Sequence, residues 1–244
     1  MILNGKTDIG KRRKNNQDSF VIRSWEDIDC ALGVVCDGMG GAKSGNVASS
    51  LAVEVFAEEI RRSWKRGMES DLIDQMLRSA VKLANFTVFD QAAQFEEFSG
   101  MGTTLVAVLI RGNKATLVNV GDSRIYGINR SGIRQLTKDH SLVQMMVERG
   151  DLTPEQARTY PGKNYITRAI GTEPVVQCDI FHLDLNKGDC LFLCSDGLSN
   201  LVDEQEILFE IVHAVSRKNC CQHLLDIAKN RGAPDNVTSV LVLI

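Results

Sequence analysis

The chain has 244 residues, 43% of them hydrophobic and 24% charged, with 28 basic against 31 acidic side chains. This composition excludes disorder and collagen-like repeats, and a chain of this length can bury most of its unfolded surface without disulfide or metal staples. A net charge of −3 provides no broad basic field for a phosphate backbone, so nucleic acid is not expected as a partner.

No Pro/Ser-rich linker and no fixed-period repeat interrupts the chain, so residues 1–244 read as one domain. The first feature met is the basic run Lys11-Arg12-Arg13-Lys14, open to two readings, a solvated loop or a ligand contact. Residues 19–24 and 31–36 are apolar, Val- and Ile-rich strand candidates. Val47, Ala48, Leu51, Ala52, Val55, Phe56 and Ile60 recur at three- and four-residue steps and predict a helix from about Gly45. A second helix, capped by Ser70, places Leu72, Ile73, Met76, Leu77, Ala80 and Leu83 on its inner stripe.

The period then changes. Residues 103–110, 114–120, 123–128 and 133–136 are short β-rich runs, punctuated by Gly112-Asn113, Gly121-Asp122 and Ser131-Gly132 as hairpin turns would be. Residues 139–174 form a mixed excursion. It holds a short helix ending near Gly150, then Thr153-Pro154-Glu155-Gln156, a capping box with proline at the first helical position. A strand at 189–194, a helix from Asp203 with Glu206 as capping partner, a helix over 219–231 and a strand at Val237–Leu243 complete the chain. Strands in consecutive groups and helices in pairs predict an α+β fold, a sheet pair flanked by helices, over a doubly wound parallel sheet.

The seven cysteines contain no C-x-x-C pair, and Cys36, Cys190 and Cys194 lie in apolar runs as buried thiols would. There is no apolar leader region and no stretch approaching ~20 apolar residues. A reduced, cytoplasmic protein without a membrane partner is expected.

The informative feature is where certain aspartates fall. Asp37, Asp122 and Asp196 each end an apolar run and are followed by Gly or Ser, Asp235 precedes the last strand, and Asp18 precedes the first candidate strand. Any one of them could be an ordinary Asp-Gly turn. Five at strand ends point to a shared site. Converging carboxylates cannot all ionise without a counter-charge. Hard divalent cations supply it, and an all-oxygen donor set suits Mg²⁺ or Mn²⁺ over zinc. His140, His182, His213 and His223 form neither H-x-H nor H-E-x-x-H. Rival phosphate motifs fail on inspection. A Walker A loop before Lys43-Ser44 would need glycine at Asp37, a dinucleotide loop from Gly38 would need glycine at Lys43, no cysteine carries the C-x₅-R arginine, and no G-x-S-x-G occurs.

These residues, in order along nearly the whole chain, resemble the metal-dependent serine/threonine protein phosphatases of the PPM, or protein phosphatase 2C, type in their bacterial form. The matching segments are Asp8-Ile9-Gly10 through Arg13, Asn16-Gln17-Asp18, Cys36 through Gly41, Met101-Gly102-Thr103-Thr104 and Val120 through Arg124. Leu136 through Ser141, Ile166 through Gly171, Ser195 through Leu198, and Asp235-Asn236-Val237-Thr238 continue the series.

The resemblance implies a four-layer αββα sandwich with two central antiparallel sheets and metals in the cleft between them. It implies two core Mn²⁺ or Mg²⁺ ions bridged by Asp37, one completed by Asp196 and Asp235 and the other reached by the Gly38 carbonyl. A weaker third ion is implied near Asp122 and Asp196. Asp18 would hold water on a metal, Arg13 would clamp the phosphoryl group, and 139–174 would be a flap with Arg168 on its return, on the substrate side. The implied reaction is hydrolysis of phosphoserine or phosphothreonine in proteins by direct attack of a metal-bridging hydroxide, without a phosphoenzyme. A cognate Ser/Thr kinase as counterpart and a monomeric state go with it.

Two departures stand out. Gln17 replaces a glutamate of many relatives, which lowers the expected affinity for the second or third ion while leaving activity in place. Met39 replaces the histidine that eukaryotic relatives place after the Asp-Gly, so the leaving-group acid is unassigned. A catalytically idle, metal-binding interaction domain is the competing reading, and the intact Asp37, Asp196 and Asp235 speak against it.

Overall fold

The computed structural model describes residues 1–26, 30–41, 44–214 and 216–244; Lys43, of the discounted glycine-loop motifs, lies outside them. Strands are β1 (Ile2–Asp8), β2 (Asp18–Trp25), β3 (Cys30–Met39), β4 (Gly102–Thr103), β5 (Leu105–Arg111), β6 (Lys114–Val120), β7 (Arg124–Asn129), β8 (Gly132–Gln135), β9 (Asp179–Asp184), β10 (Cys190–Cys194) and β11 (Val237–Leu243). Helices are α1 (Gly45–Ser63), α2 (Ser70–Gln94), α3 (Leu142–Arg149), α4 (Pro154–Thr159), α5 (Asp196–Ser199), α6 (Glu204–Val212) and α7 (Cys220–Asn230).

Among the described residues these strands form two antiparallel sheets, one ordered β1-β11-β10-β7-β8 and the other β2-β3-β5-β6-β9, with β4 paired to β3. Side chains alternate across each strand, and that alternation sorts the core into three layers. In β3, Leu32, Val34 and Cys36 pack with Ala52, Phe56, Leu77 and Ala80 of α1 and α2. Ala31 and Val35 face the other way and meet Val240 and Val242 of β11 and Leu191 and Leu193 of β10. On the far side, Phe192, Cys194 and Leu241 pack against Leu224, Leu225 and Ala228 of α7. Both sheets are therefore covered on both faces, which is the predicted αββα sandwich. Each buried Leu or Val contributes on the order of 2 kcal/mol, so the fold stands on apolar packing.

Several local expectations are corrected. Ser70 lies inside α2 and Glu69 is its N-cap. Leu72 and Leu83 are 49% and 39% exposed, because the buried stripe of α2 runs through Ile73, Met76, Leu77 and Ala80. The run 103–110 is split into β4 and β5 at Thr104, whose N–H and hydroxyl bond to the backbone of Asp37 instead of continuing the ladder. β1, β9 and α5 are elements to which the sequence reading assigns no structure. The capping boxes of α4 and α6 form as expected, Thr153 with Gln156 and Asp203 with Glu206. All seven cysteines are buried and none forms a disulfide.

The excursion 139–174 is an outlying layer. Its stem is closed by the Ser141–Ile166 bridge and by Leu142 N–H donating to the Tyr165 carbonyl at 2.8 Å. No residue of α3 or α4 is buried.

Candidate active site

Strand parity decides which side chains enter the space between the sheets. Asp37 follows Ala31 and Val35 at even steps and so projects from the inner face at the open end of β3. Asp18 shares the inner side of β2 with Phe20 and Ile22. The register sets Asp18 directly opposite Asp37, which is unfavourable for two like charges without a cation beside them.

Loop geometry delivers the others. Asp196 opens α5 where β10 ends, Asp235 lies two residues before β11, and Asp122 follows β6. Two glycines permit the close approaches. A Cβ on Gly38 would stand 2.0 Å from the Gly45 carbonyl oxygen, and one on Gly197 would stand 1.9 Å from that of Asn236.

Hydrogen bonds hold the backbones of these residues in place. The Asp37 N–H donates to Thr104 Oγ1, and the Thr104 N–H and Thr103 hydroxyl donate to the Asp37 carbonyl, each at 2.9 Å. The Ser195 hydroxyl donates to Asp18 Oδ2 at 2.7 Å and accepts from the Thr238 N–H at 3.0 Å. Asn236 accepts from the Gln17 N–H at 2.9 Å and donates to the carbonyls of Ile9 and Asn15 at 2.9 and 3.0 Å. The start of β2, the basic loop and the Asp235 turn thus form one unit. Gln17 Nε2 donates to the Gly41 carbonyl at 3.2 Å, a bond glutamate could not make.

The electrostatics are those of an uncompensated anionic cluster. Burial, then the charges of Asp18, Asp196, Asp122 and Asp235, push Asp37 well above the carboxylate range. Burial pushes Asp18 up to about 7, with Asp196 and Asp235 adding to it. Asp122 is pushed up to about 8 by burial, then by Asp196 and Asp139. Asp196 is raised by burial and Asp235, while Arg124 and Lys163 act against the shift. Asp18 Oδ1 is buried and, among the described residues, has no hydrogen-bond partner.

Both observations fit a site that binds cations, and the donor set is hard oxygen. The neighbouring thiols do not compete. Burial pushes Cys194 up to about 12 and Cys36 well above its usual range, so neither offers a thiolate. Among the described residues no three His, Cys, Asp or Glu side chains form a cage that could hold a metal ion. Asp235 is drawn to Arg13 at 2.7 Å, and Asn200 Nδ2 donates to Asp196 Oδ2 at 3.1 Å. A closed cage is not required for Mg²⁺-like ions, which keep several waters and take one or two carboxylates.

Asp18, Asp37, Gly38, Asp122, Asp196 and Asp235 are thus brought together, with Arg13 at their rim. Arg168 is not among them. Its guanidinium donates to Asp179 Oδ1 at 2.9 Å and lies against His140. The Gly121 N–H donates to His140 Nδ1 at 3.0 Å, so the ring proton is on Nε2, facing Asp179 Oδ2 at 3.2 Å. Arg168, His140 and Asp179 therefore tie the flap's return to the loop that carries Asp122.

A cleft of about 580 Å³ opens from Asp122 and Asp196 between the flap and the α5–α6 segment, with Arg158 and Lys163 on its flap wall. The sequence reading assigns nothing to Lys163. No local motif marks it, and only the folding of the flap over the cleft brings its charge to bear on Asp196.

The comparisons with known proteins agree with this geometry. The family profile described as protein phosphatase 2C matches residues 7–227. Protein phosphatase PhpP of Streptococcus pneumoniae is 36% identical over 239 residues, 97% of this chain and 94% of that protein. The crystal structure of the serine/threonine phosphatase Stp1 from Staphylococcus aureus superposes with a TM-score of 0.92 at 37% identity, covering 99% of this chain and 94% of that one. The catalytic domain of the serine/threonine protein phosphatase PstP in complex with two manganese ions gives a TM-score of 0.84 at 34% identity, covering 98% and 96%. With its sandwich, its strand-end aspartates and its similarity extending along nearly the whole length, the chain belongs to the protein phosphatase 2C family of metal-dependent serine/threonine protein phosphatases.

Proposed function

We propose that the strand-end carboxylates are where this protein serine/threonine phosphatase holds divalent ions, with Asp37 between two of them. Asp196, Asp235 and the Gly38 carbonyl complete the pair, and Asp122 with Asp196 serves a weaker third ion. The observation that carries this reading is the convergence of five buried or half-buried aspartates, of which Asp18, Asp37, Asp122 and Asp196 rise in proton affinity together. Manganese, as in the PstP complex, or magnesium suits the donors. Such ions polarise the phosphoryl group and lower the pKa of attacking water.

The chain's own residues do the rest. Asp18, half satisfied by Ser195, accepts from and orients water at the site. Arg13 leaves Asp235 to take two phosphoryl oxygens in a planar contact that lysine cannot copy. Substrates are phosphoserine and phosphothreonine proteins, made by a Ser/Thr kinase that this enzyme opposes. Its 244 residues act as one catalytic unit with a flap at 139–174, monomeric, in the reducing cytoplasm to which seven cysteines without a disulfide are suited. No helix among the described residues is long and apolar enough to cross a membrane.

The test is hydrolysis of a phosphothreonine peptide with Mn²⁺ supplied, in the presence and absence of vanadate. Turnover that vanadate leaves intact is expected, because no C-x₅-R thiolate takes part. A folded protein without turnover would identify a catalytically idle member.

Arg13→Ala should raise KM for the phosphopeptide about tenfold or more and leave metal affinity nearly unchanged, for the loss of one charge-assisted bidentate contact. Arg12→Ala is the internal control, with both variants compared on p-nitrophenyl phosphate. Equal damage from the two would show that the motif's register is wrong.

The flap yields a different split. Glu148 and Arg149 are exposed on α3, and among the described residues Glu148 pairs with Lys138 at 2.7 Å and Gln144 at 2.8 Å. Removing so exposed a pair costs little stability. Glu148→Ala with Arg149→Ala should lower kcat/KM for a phosphoprotein while p-nitrophenyl phosphate turnover stays within about threefold, under ~1 kcal/mol. Parallel losses on both substrates would make the flap a packing lid and not a docking wall.

A further inference from the structure

We propose that Lys11, Arg12 and Lys14 select the sequence around the phosphorylated residue, favouring substrates with acidic side chains, or a second phosphate, next to it. The inference rests on the phosphatase reading and names the substrate class for that same site. The three residues belong to the run Lys11-Arg12-Arg13-Lys14, of which the proposed chemistry uses Arg13 alone.

The loop's backbone is not free. The Lys11 N–H donates to the Ala233 carbonyl at 2.9 Å, and Asn236 holds the carbonyls of Ile9 and Asn15 on either side of the run. Both ends are thereby pinned to the turn that carries Asp235. Only Arg13 turns inward to a carboxylate. Lys11, Arg12 and Lys14 are exposed, and among the described residues their side chains have no hydrogen-bond or ion-pair partner. Some surface cations answer an acid, as Arg23 does Glu54, Lys138 does Glu148 and Arg231 does Glu206; the loop differs in carrying three exposed cations on a stretch of backbone pinned beside the carboxylates.

An anchored, unneutralised cationic rim beside an anionic floor suits a ligand that is anionic along its length. A peptide advances about 3.5 Å per residue. With its phosphate on the floor, the next two or three residues on one side lie within reach of the rim. Charges a few ångströms apart are well inside the ~10 Å screening length at moderate salt, and complementary rim charges act chiefly on association and partner choice. The flap cleft is lined by Asp122 and Asp196 and by no residue of the basic loop, so the acidic preference belongs to one flank of the phosphosite.

The experiment measures kcat/KM at low and high salt for three phosphothreonine peptides, with acidic residues before the site, after it, or nowhere. The wild type should prefer one acidic peptide about tenfold over the neutral one at low salt and lose that preference at high salt. Lys11→Ala/Arg12→Ala/Lys14→Ala should cut the preference below about twofold while p-nitrophenyl phosphate and the neutral peptide turn over as before. Arg12→Glu alone should lower the preference about threefold by placing a like charge on the rim. Lys65→Ala/Arg66→Ala/Lys218→Ala, the same charge change on exposed residues far from the loop in sequence, should keep the preference whole.

The proposal is overturned if the loop triple variant retains the wild-type preference, if the control triple loses it equally, or if the wild type shows none. A wild type that turns over all three peptides at one rate sinks this inference alone. A metal-loaded wild type inert to every peptide and to p-nitrophenyl phosphate sinks the phosphatase reading beneath it.

Discussion

Asp37→Asn is expected to abolish turnover, by about 10³-fold or more, whereas Asp122→Asn should cost about tenfold at saturating Mn²⁺. The difference follows from position. Asp37 sits at the centre of the cluster, where its charge meets those of Asp18, Asp196, Asp122 and Asp235 together. Asp122 lies at the mouth of the cleft and interacts chiefly with Asp196 and Asp139. Removing the central charge weakens whatever cations the cluster holds, while removing the peripheral one weakens a single site. Both variants should fold, because the three apolar layers do not depend on the cluster. The asparagine at 37 should even raise the melting temperature of the metal-free protein, since it relieves the repulsion with Asp18 opposite. Steady-state kinetics with a phosphopeptide, alongside thermal melts, tests both parts, and equal activity losses in the two variants would contradict the ranking.

Metal removal should produce the second large effect, and its pH dependence has a definite sign. EDTA should eliminate activity and Mn²⁺ restore it. In the metal-free protein, Asp18 is pushed up to about 7 and Asp122 to about 8, with Asp37 and Asp196 also raised. The unfolded chain releases those protons near pH ~4. Between these limits the folded state binds more protons than the unfolded one, so stability falls as pH rises. The contribution is fully present below about pH 4 and is lost as pH passes through about 7 to 8. A melt of EDTA-treated protein should therefore show Tm falling by ~5 °C between about pH 5.5 and 8, given a few °C per kcal/mol at this size. Mn²⁺ should remove the slope and raise Tm more at the higher pH, because it competes with protons for the same oxygens. A Tm that rises with pH in EDTA would overturn the assignment of these carboxylates as an uncompensated cluster.

The chemistry-bearing residues of this protein were legible because they are local in sequence. An aspartate ending an apolar run and followed by glycine can be recognised at Asp37 or Asp196 without knowing what lies opposite. The continuous apolar run of β3 and the stepped apolar residues of α1 were enough to predict strand and helix, since both signals are contained within a few neighbouring residues. The capping boxes at Thr153 and Asp203 are contained within four residues, and both form.

What the sequence left open depends on partners distant in the chain. β1 and β9 take their pairing from β11 and β6 across long separations, and the polar Asn4-Gly5-Lys6 or Phe181-His182 segments carry little alternation of their own. Leu72 and Leu83 match a helical stripe, yet the face that α1 and the sheet cover is rotated away from them. Arg168 stands in a motif beside the flap, but Asp179, 11 residues on, and His140, 28 residues back, decide where its charge goes. Lys163 acquires its relation to Asp196 only when the flap folds over the cleft. Sequence alone determined which groups could bind metal and phosphate. The tertiary structure decided which of them share one site, because like charges are held together only where packed sheets and close glycine contacts fix the strand ends against their repulsion.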